Sequence, residues 1–191
     1  MATVSIIGTG NMGQAIADVV TKGGHHAELI AHAEADKPVT GEIVVLAVPY
    51  PSIADVLAAR GDSLGGKIVV DITNPLDFQT FDALTVPADS SAAAEIAARL
   101  PGSRVVKAFN TTFAATLASR TAGPVTTTVL IAGDDADAKD QLAGILTAGG
   151  LEAVDAGALK RARELEALGF LQITLAAGNK VPWTGGFALV S

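Results

Sequence analysis

Cysteine is absent from the 191 residues, which removes disulfides, thiolate nucleophiles and cysteine metal sites together. Aromatic residues are scarce, 4% against 49% hydrophobic residues in all, so the core has to be built from Ala, Val, Ile and Leu, the filling of parallel strands buried on both faces. Basic residues are outnumbered 13 to 20, and the net charge of −7 is broken by no basic block, which argues against nucleic acid and anionic membrane surfaces as partners. No apolar run approaches the ~18 residues of a membrane span, and no charged segment with an apolar core opens the chain, so the expectation is a soluble cytoplasmic protein. Ser-His-Asp ordering, H-E-x-x-H and carboxylates at metal-ligand spacing are missing too, so neither a nucleophile nor a metal site is expected. The length suits one well-buried core, and one dinucleotide-binding domain over 1–191 is expected, with a C-terminal helix and tail from about residue 158.

What the chain has is a glycine turn near its start. Residues Thr3 to Gly13 read T-V-S-I-I-G-T-G-N-M-G: an apolar run, then Gly8, Gly10 and Gly13, then apolar residues at helical spacing from Gln14 to Val20. Strand, glycine turn and helix together are the context in which G-x-G-x-x-G carries weight. Gly8 permits the tight turn, Gly10 lets a pyrophosphate approach the backbone, and Gly13 lets the helix pack on the strand. The pyrophosphate sits over the helix N-terminus, where unpaired N–H groups and the macrodipole favour an anion.

A second strand, Ala27 to Ala31, ends at His32, beside the expected adenosine ribose, where an acid suits the 2′-hydroxyl of NAD and a base the 2′-phosphate of NADP. Glu28 lies inside the strand rather than at its tip, so His32 and Lys37 are the candidates, and NADP is preferred over NAD. The ten residues Ala33 to Glu42 cannot carry a helix and a further strand, since a crossover alone takes ~10 to 12 residues. Extended, they reach ~33 Å, enough to cross the sheet. The fold expected is therefore α/β, a Rossmann-type doubly wound and mostly parallel sheet without its usual third strand.

The apolar run Ile43 to Val48 is a central strand stopped by Pro49-Tyr50-Pro51, with Ser52 capping a helix to Arg60. Further strands are Lys67 to Ile72, Arg104 to Ala108, Thr126 to Ala132 and Leu151 to Val154. Strand ends face the ligand in open α/β sheets, which brings in Thr73-Asn74-Pro75 and Phe109-Asn110-Thr111-Thr112. Asn74 is either a turn residue or a nicotinamide contact; Asn110 and Thr111 either hold a substrate carbonyl or cap the helix that follows. The irregular stretch from Leu76 to Asp89, with Phe78 and Phe81, is a substrate-facing loop or a cover for the core. Asp134-Asp135 caps a helix from Ala136 to Ala148. In the helix from Ala158 to about Ala177, Lys160, Arg161 and Arg163 receive an anionic tail of a substrate, or Lys160 pairs with Glu164 on a solvated face. The tail from Pro182, with Trp183, is expected to pack on the body or on the second subunit of a homodimer.

The segments G-T-G-N-M-G, V-V-L-A-V-P-Y, V-V-D-I-T-N-P, V-V-K-A-F-N-T and R-A-R-E-L-E together resemble the coenzyme F420-dependent NADP reductases and related dinucleotide-binding reductases, among them the oxidoreductase part of the STEAP metalloreductases. The resemblance implies a domain that binds NADP and passes hydride between the nicotinamide and a flavin-like or deazaflavin (F420-type) ring. It places Thr9, Asn11 and Met12 with the glycines at the phosphates, and Ala47, Val48 and Pro49 along the adenosine and ribose. Asn74 with Ala108, Phe109 and Asn110 would bound the nicotinamide and the acceptor, and His32-Ala33 would stand where relatives carry Ser followed by Arg or Lys. Hydride transfer needs two rings near contact and no proton-handling residue. The competing readings are a dinucleotide-sensing or partner-binding module without turnover, favoured if Tyr50 or Phe109 blocks the crevice, and a ferric or cupric reductase, which needs a flavin bridge. Pyrroline-5-carboxylate reductase is disfavoured because too few residues follow Gly157 for its helical dimerisation domain.

Overall fold

The computed structural model describes residues 1–31, 33–34 and 36–190. In chain order the elements are β1 (Thr3–Ile7), α1 (Asn11–Lys22), β2 (His26–Ile30), β3 (Ile43–Leu46), α2 (Ile53–Arg60), β4 (Ile68–Asp71), α3 (Ala92–Arg99), β5 (Arg104–Lys107), α4 (Ala114–Ser119), β6 (Thr121–Ala122), β7 (Val125–Thr126), β8 (Thr128–Gly133), α5 (Ala136–Ala148), β9 (Glu152–Gly157) and α6 (Ala162–Ala177). Seven strands form one sheet in the order β2-β1-β3-β4-β5-β8-β9. It is parallel except where β8 runs antiparallel to β5, and β9 then follows β8 in parallel. This is the doubly wound, mostly parallel sheet that the apolar runs imply.

Side chains alternate across each strand, and the central strands supply both faces. Ile43 and Val45 of β3 join α1, α4 and α5 on one side, while Val44 and Leu46 join α2 and α3 on the other. Each such side chain contributes roughly 1.5–3 kcal/mol by leaving water. Among the described residues no helix is long and apolar enough to cross a membrane.

β2 is the sheet edge, and β3 pairs with the opposite side of β1, from Val4↔Ile43 to Ile7↔Leu46. The usual third strand is therefore missing, as the length of the connection requires. The short crossover is tied down by Glu28, whose Oε2 accepts Ser5 Oγ–H at 3.1 Å and Thr40 Oγ1–H at 2.9 Å. Ser5 Oγ in turn accepts the Gly41 N–H at 2.9 Å. Arg60 braces the same segment, its Nη1 donating to Lys37 O at 2.6 Å and its Nη2 to Glu34 O. Glu28 is thus a structural anchor rather than a ribose ligand.

Several local expectations give way to specific geometry. β2 ends at Ile30 rather than Ala31. The expected strand Thr126 to Ala132 is split, because Val125–Thr126 pairs with β6 before β8 begins, and β9 is longer than its apolar pattern, reaching Gly157. Ser52 makes no cap bond, since Tyr50–Ser52 already turn as a 3-10 helix and Ser52 has helical angles. Asp135 caps α5 through Ala138 N at 2.7 Å, but Asp134 accepts the Leu159 N–H instead, at 2.9 Å. Leu159–Arg161 form a 3-10 turn ahead of α6, which changes the angular relation of these side chains, and the ion pair to Glu164 comes from Arg161 at 2.9 Å rather than from Lys160.

Burial works to raise the pKa of Glu28, yet the hydrogen bonds from Thr40 and Ser5 and the charge of Lys37 hold it below the ordinary glutamate value. A carboxyl depressed in the folded state stabilises above its unfolded pKa, ~4.3, and that contribution is lost as pH falls through the folded value. Glu28→Gln should therefore cost about 1 kcal/mol in urea denaturation near neutral pH. The gap to the unsubstituted protein should close on acidification.

Candidate active site

The turn after β1 begins beside the tip of β2, where the Gly8 N–H donates to Ile30 O at 2.9 Å. Gly8 has φ +124, and a Cβ there would lie 2.1 Å from Ala47 O; one on Gly13 would lie 2.2 Å from Gly8 O. The fold itself requires both glycines. Gly10 is different: a Cβ would meet nothing within 4 Å, and its φ of −72 suits any residue. Only something approaching from outside needs glycine at that point. Gly10 is also the N-cap of α1, which has no side-chain cap bond and no acid in its first turn. Its N–H groups and the positive end of its dipole stay available to an anion.

Two cavities adjoin at this turn. The first, about 480 Å³, runs along the ends of β1 and β3 and is lined by Gly10, Asn11, Met12, Ala47, Val48, Pro49, Tyr50, Ile72, Thr73, Asn74 and Phe78. The second, about 410 Å³, continues past Asn11, Met12, Ile72, Asn74 and Phe78 to Phe109, Asn110, Thr112, Phe113, Ala114, Ala115, Ile173 and Trp183. No charged side chain lines either of them among the described residues. Three of the six phenylalanines and the sole tryptophan border the second cavity, a concentration that suits a planar ring. Phe109 takes a left-handed φ of +63, which costs a bulky residue on the order of 1–3 kcal/mol, and it turns the chain from β5 along the cavity wall.

The wall between the cavities rests on a buried charge cluster. Lys107 Nζ, at the end of β5, lies 2.7 Å from Asp71 Oδ2 at the end of β4 and 2.9 Å from Glu166 Oε1 on α6, all three side chains being 0–1% exposed. The same Nζ donates to Thr73 O at 2.6 Å, and Asp71 Oδ1 accepts the Thr73 N–H at 2.8 Å. Glu166 also accepts the Ala92 and Ala93 N–H groups at the start of α3, at 2.9 and 3.3 Å. Burial pushes the Glu166 carboxyl above the usual range, against the pull of Lys107 and the Ala92 N–H. Above the cluster, Asn74 and Asn110 pair: Asn74 Nδ2 donates to Asn110 O at 3.0 Å, and Asn110 Nδ2 to Asn74 Oδ1 at 3.1 Å and to Leu165 O at 2.7 Å. Gly169 lets α6 come this close, since a Cβ would stand 2.3 Å from Asn74 Oδ1. Thr73 Oγ1 and Asn110 Oδ1 are buried without a hydrogen-bond partner among the described residues.

The structure brings together most of the residues singled out in the sequence. Gly10, Asn11, Met12, Ala47, Val48, Pro49 and Asn74 line the first cavity, with Gly8 and Gly13 shaping the turn. Thr9 belongs to the same turn, where its carbonyl accepts from Gln14 Nε2 at 3.5 Å. Phe109 and Asn110 line the second cavity, and Asn110 does not cap a helix because α4 starts only at Ala114. Ala108 is fully buried in the core, and Thr111 borders a small separate cavity with Leu168 and Phe187. Neither of these two faces the crevice. His32 lies outside the described residues. Lys37, expected near a 2′-phosphate, spends its ammonium on Leu29 O at 3.0 Å and the carboxylates of Glu28 and Glu34, each 3.8 Å away. Tyr50 turns its hydroxyl to Glu95, and burial with that carboxylate raises its pKa. Both cavities stay open beside Tyr50 and Phe109, so neither residue blocks the crevice. Phe78 borders both cavities, while Phe81 packs with Leu76 and Leu84 as cover. Missed in the sequence were Lys107 and Asp71, whose signal is a charge closing an apolar run, and Glu166 on α6 and Phe113, which carry none; Trp183 reads from the sequence as a packing residue of the tail.

Known proteins resemble this chain in sequence and in fold. The family model described as "NADP oxidoreductase coenzyme F420-dependent" matches residues 28–75. The F420-dependent NADP reductase of Methanocaldococcus jannaschii is 31% identical over 172 residues, 88% of this chain and 77% of that protein. The enzyme of the same name from Methanothermobacter marburgensis is 32% identical over 170 residues, 86% and 72% of the two chains. A crystal structure from Arthrobacter sp. FB24, assigned as an F420-dependent NADP reductase, superposes with a TM-score of 0.86 over 100% of both chains at 27% identity.

The charge cluster makes a test of its own. Lys107→Met strands two buried carboxylates and should cost about 3–5 kcal/mol in urea denaturation. Adding Asp71→Asn and Glu166→Gln to it removes the uncompensated charge, and most of that loss should be regained.

Proposed function

The chain belongs to the family of F420-dependent NADP reductases, and from that membership we propose that it transfers hydride between NADP(H) and a deazaflavin ring of the F420 type. The observation that carries this reading is the pair of adjoining cavities with a shared wall at Asn11, Met12, Ile72, Asn74 and Phe78. One opens on a glycine turn with an uncapped helix end, and the other is aromatic and uncharged. Residues 1–191 act in this reading as one dinucleotide-binding unit, with α6 and the tail forming its acceptor side.

The dinucleotide fits what the chain offers. Gly10 leaves the space that a pyrophosphate would fill, the first turn of α1 supplies N–H donors, and Thr9, Asn11 and Met12 flank them. Ala47, Val48 and Pro49 offer an apolar path for the adenosine and ribose, and the orphaned Thr73 Oγ1 lies on the wall that the nicotinamide would meet. When bound, the dinucleotide supplies a hydride, two electrons with one proton, to the acceptor ring, and a second proton from water completes the reduction. The protein's part is to seat the two rings face to face where the cavities adjoin, against the residues they share, and to keep water from between them. Neither task requires an acid or a base, which suits cavities without ionised side chains.

Stopped-flow oxidation of NADPH and NADH by F420, FMN and FAD tests the reading. Fastest turnover is expected with NADPH and F420; binding of NADPH with no reduction of any of the three would sink it. The pyrophosphate placement has a separate check in Gly10→Leu. This variant should keep its unfolding free energy within about 1 kcal/mol, because the space around Gly10 is open, yet lose at least tenfold in NADPH affinity by titration calorimetry.

A further inference from the structure

The tail after α6 passes over the second cavity and is tied back at both ends of that passage. Near α6, Asn179 N–H donates to Ala176 O at 3.0 Å and Lys180 N–H to Leu175 O at 2.8 Å. Beyond it, a turn closes from Gly185 N–H to Pro182 O at 2.9 Å, and Phe187 N–H reaches the Oε1 of buried Gln172 at 3.0 Å. Between the two ties stands Trp183. Its ring rests on Phe113, centroids 4.9 Å apart and planes tilted by 53°, yet 51% of the residue is exposed. Phe78, which also borders this cavity, is 53% exposed. Its loop is held by the Leu76↔Leu84 bridge and by Asp77, which accepts from the N–H groups of Gln79 and Thr80.

Tail packing alone accounts for this poorly. Val181 packs partly buried against the cluster of Leu76, Phe113, Ile173 and Ala176, and Phe187 and Leu189 are 47% exposed without bordering the second cavity, whereas the indole keeps half its surface free on the wall of that cavity. Among the described residues the cavity also has no charged side chain to meet a metal chelate or a small acid. Its polar groups are the amides of Asn11, Asn74 and Asn110 and the hydroxyl of Thr112, suited to the rim of a neutral heteroaromatic ring.

We propose that Trp183 is a ligand-contacting residue: the tail holds its indole as a stacking surface for a planar, uncharged, multi-ring acceptor, and so sets acceptor specificity. The inference rests on the reading of the second cavity as the acceptor site. It assigns to the tail a selection of ring-shaped acceptors over ferric chelates, which offer no face to stack on.

Trp183 is the sole tryptophan, so its emission reports on this contact in the full chain. With NADP+ bound, saturating lumiflavin or F420 should shield Trp183 from acrylamide quenching. Trp183→Ala should raise the KM for the ring acceptor about tenfold, the scale of one lost aromatic stack, with NADPH affinity unchanged within twofold and Trp183→Phe restoring most of the loss. Unaltered acrylamide access at saturating ring, an unchanged acceptor KM in Trp183→Ala, or an equal loss of NADPH binding would each overturn the inference. If the unsubstituted protein binds NADPH but reduces no ring, the reductase reading alone falls, and the acrylamide measurement still decides whether a ring lies on Trp183.

Discussion

A buried ammonium group is tolerable only when fully paired, and Lys107 meets that demand by collecting partners from three segments of the chain. Asp71 comes from the neighbouring strand, Thr73 O from the turn beyond it, and Glu166 from α6, which is bonded through the same carboxylate to the start of α3. Buried ion pairs are weak sources of net stability but costly to leave half-made. The consequence is geometric: the ends of β4 and β5, the turn at Thr73–Asn74 and the position of α6 hold together or not at all. The wall between the two cavities is an outcome of that arrangement.

From the same anchoring comes the character of the site. Charge is concentrated behind the wall, while the surfaces a ligand would meet carry amides, hydroxyls, aliphatic groups and aromatic rings. A site of this kind cannot donate or remove protons through its own ionisable groups; it can orient rings and exclude solvent, which is what hydride transfer asks. The strained Phe109 and the orphaned oxygens of Thr73 and Asn110 all lie along these walls, where departures from local optima are expected when geometry serves a ligand rather than stability.

At the opposite edge the molecule economises on chain. Glu28, Ser5, Thr40 and Arg60 fix a crossover that in longer dinucleotide folds would carry a further strand. An acidic residue at the right distance from a glycine turn reads as a ribose ligand, yet here the carboxylate is occupied from within the protein. Sequence distance could not separate these roles. The place of Glu28 inside the strand rather than at its tip separates them, and its bonds from Ser5 and Thr40 agree with that reading.

Legible from the residues alone were the features whose causes lie close together along the chain. The glycine turn and its helix, the buried strands, the cap at Asp135 and the missing third strand follow from spacing, propensity and the reach of an extended segment. Gly8, Gly10 and Gly13 came with them, while Thr9, Asn11, Met12 and the stretch from Ala47 to Pro49 came through the family resemblance. What only the tertiary structure decided joins segments far apart. Lys107 meets Asp71 and Glu166, Trp183 reaches Phe113, Ala108 sinks into the core and Thr111 faces away from the crevice. These depend on how closely α6 docks against the strand ends, a distance set by a glycine at 169 and by the pairing of buried charge. No local pattern encodes that distance, because the groups that fix it become neighbours only once the sheet and α6 have packed.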